Sequence, residues 1–222
     1  MNVAKHYEGE EGVQYFAYQS RGSKSCVAPQ VVVDKILPFV ADNATVLDFG
    51  CADGTIIGAL KCGKRLGIEI NAPARHAAVA NGIECYDSLH NIPDRSVDLI
   101  MSHHALEHVT APLDTLSQLR TKLKPGGTLV LIVPIDDWRR QMTANLNDRD
   151  HHLYTWTPLL LGNLLLAANF DITSMSVEPI GWCRHARVLY TWLPEAAYRA
   201  AMRLAAIVFK TREIRAICSV KD

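Results

Sequence analysis

The run Gly50-Cys51-Ala52-Asp53-Gly54 follows the apolar segment Val46 to Phe49, so a strand delivers two glycines into a turn. Glycine has no side chain, and such a turn lets a ligand approach the backbone N–H groups at the start of the next helix. Glu69 stands nineteen positions after Gly50, where a carboxylate accepts hydrogen bonds from both hydroxyls of a ribose. Turn and acid together point to a nucleoside. A pyrophosphate cofactor would use the spacing Gly-x-Gly-x-x-Gly. Here Ala52 and Thr55 stand where the second and third glycines belong, and Asp53 puts a negative charge in the loop. That charge repels a pyrophosphate and suits a ligand with cationic groups.

Other residues offer chemistry or plain structure. Asp48 sits on the apolar strand, where it either reaches ligand or satisfies loop amides. Ser102, His103 and His104 follow the apolar run Val97 to Met101. A neutral histidine there can take a proton from a hydroxyl or amine, or simply shape a pocket. Glu107 and His108 make an acid–base pair, a cap, or two ligands of a divalent metal lacking its third. His104 and His108 are the candidate catalytic residues. Asp148, Asp150, His151 and His152 resemble a metal cluster, but adjacent histidines rarely converge on one ion and no helical spacing supports them. No metal is expected, and this stretch reads as a substrate-facing loop. The aromatic residues Tyr7, Tyr15, Phe16 and Tyr18 suit either a flap or ordinary packing, and Trp138, Tyr154, Trp156 and Trp182 pose the same choice.

These residues need a scaffold, and from about residue 27 short apolar runs alternate with helical periods, the pattern of a parallel sheet covered on both faces. Helices are expected from Pro29 to Leu37, from Thr55 to Lys61, and after Asn71 as a cap with Gly82 as a left-handed stop. Leu113, Leu116, Leu119 and Leu123 mark another, Thr157-Pro158 opens one ending near Asn169, and Glu195 to Phe209 is an Ala/Arg-rich one. Its basic residues suit a membrane surface or a dimer, with a solvated face as the plain reading. Strands are expected at 44–49, 65–70, 83–86, 97–101, 128–133, 170–178 and 214–220. Residues 136–152 lack any pattern and read as an insertion.

The 222 residues are 49% hydrophobic and 21% charged, enough for one buried core. Lys plus Arg and Asp plus Glu number 23 each, which favours no nucleic acid or anionic membrane. Six dispersed cysteines without a Cys-x-x-Cys pair fit a reducing cytoplasm. The N-terminus lacks the basic and apolar regions of a signal peptide, and no run reads as a membrane span.

On Val46 to Gly54, Glu69, Asp87-Ser88, Val97-Asp98-Leu99-Ile100, Ala105-Leu106-Glu107-His108-Val109 and Leu123-Lys124-Pro125-Gly126-Gly127, the chain resembles the Rossmann-like (class I) S-adenosylmethionine-dependent methyltransferases. The small-molecule branch that includes the methyltransferase-11 and methyltransferase-23 families is the most similar, over residues 44–134 with a weaker echo to 178. Ala52 departs from the family's usual glycine. The resemblance implies an α/β fold, a mainly parallel sheet of about seven strands with the last one antiparallel, and helices on both faces. It implies one domain, with 1–26 as an N-terminal lid segment, 27–134 as the cofactor-binding core, 135–157 as an acceptor lid and 158–222 as a C-terminal substrate-side part. The cofactor is S-adenosyl-L-methionine. Its ribose lies on Glu69 beside Ile70, its adenine near Asp87, Ser88 and Leu89, and its methionine near Asp48, Gly50, Cys51, Gly54, Ser102 and His103. The partner is a small-molecule acceptor methylated on oxygen or nitrogen, such as a sugar or secondary metabolite. A non-catalytic protein binding the same nucleoside and a nicotinamide-dependent oxidoreductase are the rival readings.

Overall fold

The computed structural model describes residues 5–20, 29–136, 141–145, 148, 150–180, 189, 192–209 and 211–220. Trp138, Trp182, Lys210 and the side chains of Tyr18, Arg199 and Arg203 lie outside the described residues.

Among the described residues, seven strands form one sheet in the order β3-β2-β1-β4-β5-β7-β6. They are β1 (Thr45–Phe49), β2 (Lys64–Ile68), β3 (Glu84–Tyr86), β4 (Val97–His103), β5 (Leu123–Ile135), β6 (Asp171–Pro179) and β7 (Arg212–Ser219). β1 to β5 pair in parallel, and β7 runs antiparallel to both β5 and β6. The strand order therefore reverses at β1 and β4, and ligands of open α/β sheets bind in the crevice outside the carboxyl ends at such a point.

Successive residues of a strand face opposite sides. Leu129, Leu131 and Val133 of β5 join one buried cluster with Leu47, Phe49 and Ile100. Val130 and Ile132 join another with Val46, Leu99 and Met101. Both faces are thus dry, which explains unbroken apolar runs rather than alternation. The first face is covered by α5 (Pro112–Lys122) through Leu116 and Leu119, and by α6 (Pro158–Ala167) through Leu161 and Leu165. The second is covered by α2 (Pro29–Ile36), α3 (Thr55–Gly58) and α4 (Ala72–Ala80).

Local signals set the boundaries. Asn71 caps α4 by accepting from the Ala74 N–H at 3.1 Å, and Thr157 caps α6 by accepting from Leu160 at 3.1 Å. Gly82, at φ +81°, follows α4 as expected. Several boundaries differ from the sequence expectation; β2 ends at Ile68 rather than at residue 70. α3 stops at Gly58 rather than Lys61, where the Ala59 and Leu60 N–H groups turn to the carbonyls three residues back, of Ile56 and Ile57, at 3.2 and 3.1 Å. β4 runs on to His103 because β5 pairs with it as far as Ile132. β5 begins at Leu123, and residues 124–127 bulge out between the pairs Val97↔Leu123 and Leu99↔Thr128.

The sequence reading did not anticipate α1 (Gly9–Ser20), whose first turn carries Glu10 and Glu11. The helix expected at Glu195–Phe209, here α7, is present. It buries Tyr198 and Met202 beside Val31 of α2, while Leu204 and Val208 face outward, so its exposed side is not purely polar.

Candidate active site at the carboxyl edge

The glycine turn is held by backbone bonds. Gly50 and Cys51 N–H groups both donate to the Ile68 carbonyl, at 2.8 and 3.2 Å. Gly50 has φ +80°, and a Cβ there would lie 2.5 Å from that of Ala105. Gly54, at φ +76°, would meet Ile83 Cγ1 at 2.7 Å, so this glycine serves helix packing. Between them Ala52 adopts φ +48°, a left-handed conformation that costs an L residue roughly 1–2 kcal/mol. Asp53 accepts from the Thr55 N–H at 3.0 Å, so its carboxylate caps the start of α3.

Glu69 follows β2 directly. One carboxylate oxygen accepts from the Ala52 N–H at 2.9 Å and the other from the Asn71 N–H at 2.8 Å. The acid thus fixes the strained turn to the cap of α4, and each oxygen retains a further lone pair. Burial raises its pKa, opposed by the Asn71 and Ala52 amides and the charge of Arg75. Arg75 itself donates to the carbonyls of Glu69 and Ile70. Asp48 lies beneath the turn, buried, and burial together with the Glu69 charge pushes its pKa up to about 8. A carboxyl that stays protonated near neutrality can donate a hydrogen bond as well as accept one.

Several residues assigned to cofactor contact have side chains occupied elsewhere. Leu89 is buried in the core cluster with Ile92, so only its backbone can border a ligand. The Cys51 side chain is buried with its sulfur 3.4 Å from that of Cys85. The bond to Cys85 and burial raise its pKa, which leaves it a poor nucleophile. The Ser102 hydroxyl donates to the Phe49 carbonyl at 3.1 Å and ties β4 to β1. Ser88 caps the 3-10 turn Leu89–Asn91, while Asp87 is exposed at the same edge.

Beyond β4 the chain turns left-handed at His104, φ +50°. Consecutive strand residues point apart, yet this turn stacks the His103 and His104 rings with centroids 4.1 Å apart and planes within 8°. His104 Nε2 donates to Glu213 at 3.1 Å. Glu213, 1% exposed on β7, also takes an ion pair from Lys35. Burial alone would raise its pKa, but the His104 hydrogen bond and the His104, Lys35 and His103 charges hold it at about 2. His103 is driven well below its usual pKa, first by burial and then by the His104 charge. The arrangement is a histidine whose partner is an ionised carboxylate, the disposition of a general base with an orienting acid.

A second constellation adjoins it. Glu107 and His108 lie in a 3-10 turn, Leu106–His108, and the Glu107 carbonyl accepts from the N–H groups of Leu153 and Tyr154 at 2.9 and 3.3 Å. These bonds bring His152 to Glu107 and His108. Of the four residues grouped by sequence proximity, three stay in one turn, where Asp148 accepts from the Asp150 and His151 N–H groups and His151 stacks on His6 at 4.7 Å, while His152 joins Glu107 and His108. Tyr7, ahead of α1, bonds His108 Nδ1 at 2.6 Å and donates to the Asp150 carbonyl at 2.9 Å. Asn71 Nδ2 donates to the Tyr7 and Gly12 carbonyls. The aromatic N-terminus is thus pinned between α4 and the loop.

Sequence reasoning missed Glu213, Lys35 and Asp136, and named Tyr7 only among the aromatic residues of a flap or of ordinary packing. Glu213 was visible as an acid entering the apolar strand Ile214 to Val220, since a buried charge requires a partner. Lys35 lies 178 positions away from it, and no local pattern reports that pairing.

The profile of the methyltransferase-23 family, a methyltransferase domain, matches residues 26–175. A malonyl-[acyl-carrier protein] O-methyltransferase of Marinomonas is 31% identical over 171 residues, 68% of this chain and 62% of its own length. The chain therefore spans less than two thirds of that relative. An S-adenosylmethionine-dependent methyltransferase from Archaeoglobus fulgidus superposes with TM-score 0.61 at 18% identity, covering 92% of this chain and 99% of that one. Phosphoethanolamine N-methyltransferase 2 of Haemonchus contortus, solved with S-adenosyl-L-methionine, gives 0.66 at 10% identity, covering 98% and 59%. With its sheet order and the profile match, the chain belongs to the methyltransferase-23 family of Rossmann-like, S-adenosylmethionine-dependent methyltransferases.

Proposed function

We propose that the protein transfers the methyl group of S-adenosyl-L-methionine to an oxygen or nitrogen of a small-molecule acceptor. The observation carrying this reading is Glu69, held by the Ala52 and Asn71 amides at the carboxyl end of β2 with lone pairs left for ribose hydroxyls. The cofactor then runs along the edge from Asp87 and the Ser88–Leu89 backbone, over Glu69 and Ile70, to Gly50 and His103, with Asp48 under the turn.

Methyl transfer from a sulfonium is an in-line displacement, so the protein's task is to hold the acceptor atom close and dry. The acceptor approaches beneath residues 150–156. His104 is the base we assign to an acceptor proton, since the Glu213 carboxylate orients its ring and stabilises the imidazolium formed. No helix among the described residues is long and apolar enough to cross a membrane. Cys51, Cys62, Cys85 and Cys218 are free thiols, in keeping with a reducing cytoplasm.

Incubation with methyl-labelled cofactor and an extract of the source cells, read by mass spectrometry, should yield a labelled small molecule. Label appearing only in protein would refute the acceptor class, and cofactor binding without any transfer would favour a non-catalytic binding protein.

A further inference from the structure

Glu107 is 0% exposed, and neither carboxylate oxygen has a hydrogen-bond partner among the described residues. A buried carboxylate left so is costly unless a cation or proton meets it. Beside it stand His108 and His152, and one ligand atom from each of the three lies within 4.8 Å of the others.

Both histidines are presented as ligands. The Tyr7 hydroxyl spends its proton on the Asp150 carbonyl, so at 2.6 Å its oxygen accepts from His108 Nδ1. That leaves a lone pair on His108 Nε2, which lies 3.8 Å from Glu107 Oε1. His152 Nδ1 donates to the Asp136 carboxylate at 2.9 Å, which likewise leaves a lone pair on its Nε2. Metal-ligating histidines characteristically give their other ring nitrogen to such a partner, which fixes tautomer and ring direction. The two rings meet edge to face at 4.9 Å.

We propose that Glu107, His108 and His152 form a binding site for a divalent zinc-type ion, with Tyr7 and Asp136 orienting the two histidines. Two imidazoles and one carboxylate suit zinc with a fourth position open to water or an oxygen donor. The ligand atoms must draw together by roughly 1 Å to reach zinc-bond lengths, a movement side-chain rotation supplies. The neighbouring group His103, His104 and Glu213 is not such a site, since Lys35 already places its ammonium on Glu213. The inference stands apart from methyl transfer, because the ion is read directly.

The test is metal analysis of the full chain, stripped with chelator and reloaded with zinc(II) or cobalt(II) alone, with cobalt's visible absorption reporting nitrogen and oxygen ligands. We expect one ion per chain, binding weakened at least tenfold in His152→Ala and Glu107→Gln, about tenfold in Tyr7→Phe, and unchanged in the exposed control His76→Ala. Circular dichroism identifies any variant that fails to fold, and His152→Gln then replaces it. Absence of stoichiometric zinc or cobalt on the wild-type chain overturns the proposal, whatever the variants do. So does loss of the ion in His104→Ala with retention in His152→Ala. Binding of S-adenosylhomocysteine, measured in the same samples, keeps a failure here distinct from a failure of the cofactor reading.

Discussion

Glu213 on β7 accepts a hydrogen bond from Nε2 of His104, just beyond β4, at 3.1 Å. The two strands are not neighbours; β5 lies between them. The last strand of the sheet therefore reaches back to the residue we assign as base, and Lys35 of α2 neutralises the same carboxylate.

Glu213→Gln should destabilise the fold by about 3 kcal/mol at pH 7, since it breaks a buried charge network. The folded pKa of about 2 lies below the unfolded value near 4.3. The charge therefore stabilises the fold above the unfolded pKa, and that contribution is lost as pH falls through the folded one. Urea melts at pH 7 and pH 3 should show wild type and variant converging in acid; a constant gap would place the effect in packing instead.

Asp48 behaves in the opposite sense. Its folded pKa of about 8 exceeds the ordinary 3.8, so between those values the folded state binds a proton that the unfolded state has lost, and stability falls as pH rises. Asp48→Asn removes this slope. Its melting temperature, compared with wild type, should gain steadily from pH 5 to pH 8, and parallel profiles would mean that Asp48 is ionised in the fold.

The glycine turn makes a paired prediction. Ala52→Gly relieves a φ of +48° at some cost in unfolded-state entropy, for a net gain of about 0.5–1 kcal/mol. Gly50→Ala keeps φ at +80° and drives a Cβ to 2.5 Å from that of Ala105, a loss of about 2–3 kcal/mol. Thermal melts of both variants check this. Equal effects would mean that the turn relaxes freely.

What the sequence disclosed follows from range. β1 and its glycine turn were readable because their signals are adjacent, Glu69 because an acid about twenty residues on closes the next apolar run, and Asn71 and Thr157 announced their helices as caps. The bulge at 124–127 depends on what the neighbouring strand supplies. His152 was grouped with its sequence neighbours, yet it sits with Glu107 because the backbone of 153 and 154 docks on the Glu107 carbonyl. Leu89, expected beside the adenine, packs its side chain in the core with Ile92. No periodicity in a single chain reports such tertiary choices.

On the proposed reading, Glu69 holds the ribose of S-adenosylmethionine. Isothermal titration of the purified chain with S-adenosylhomocysteine should show one site, weakened about a hundredfold in Glu69→Ala, as loss of two charge-assisted hydrogen bonds requires, and largely retained in Cys62→Ser. A wild-type chain that does not bind, or a folded Glu69→Ala that binds with unchanged affinity, would show that Glu69 does not hold the ribose.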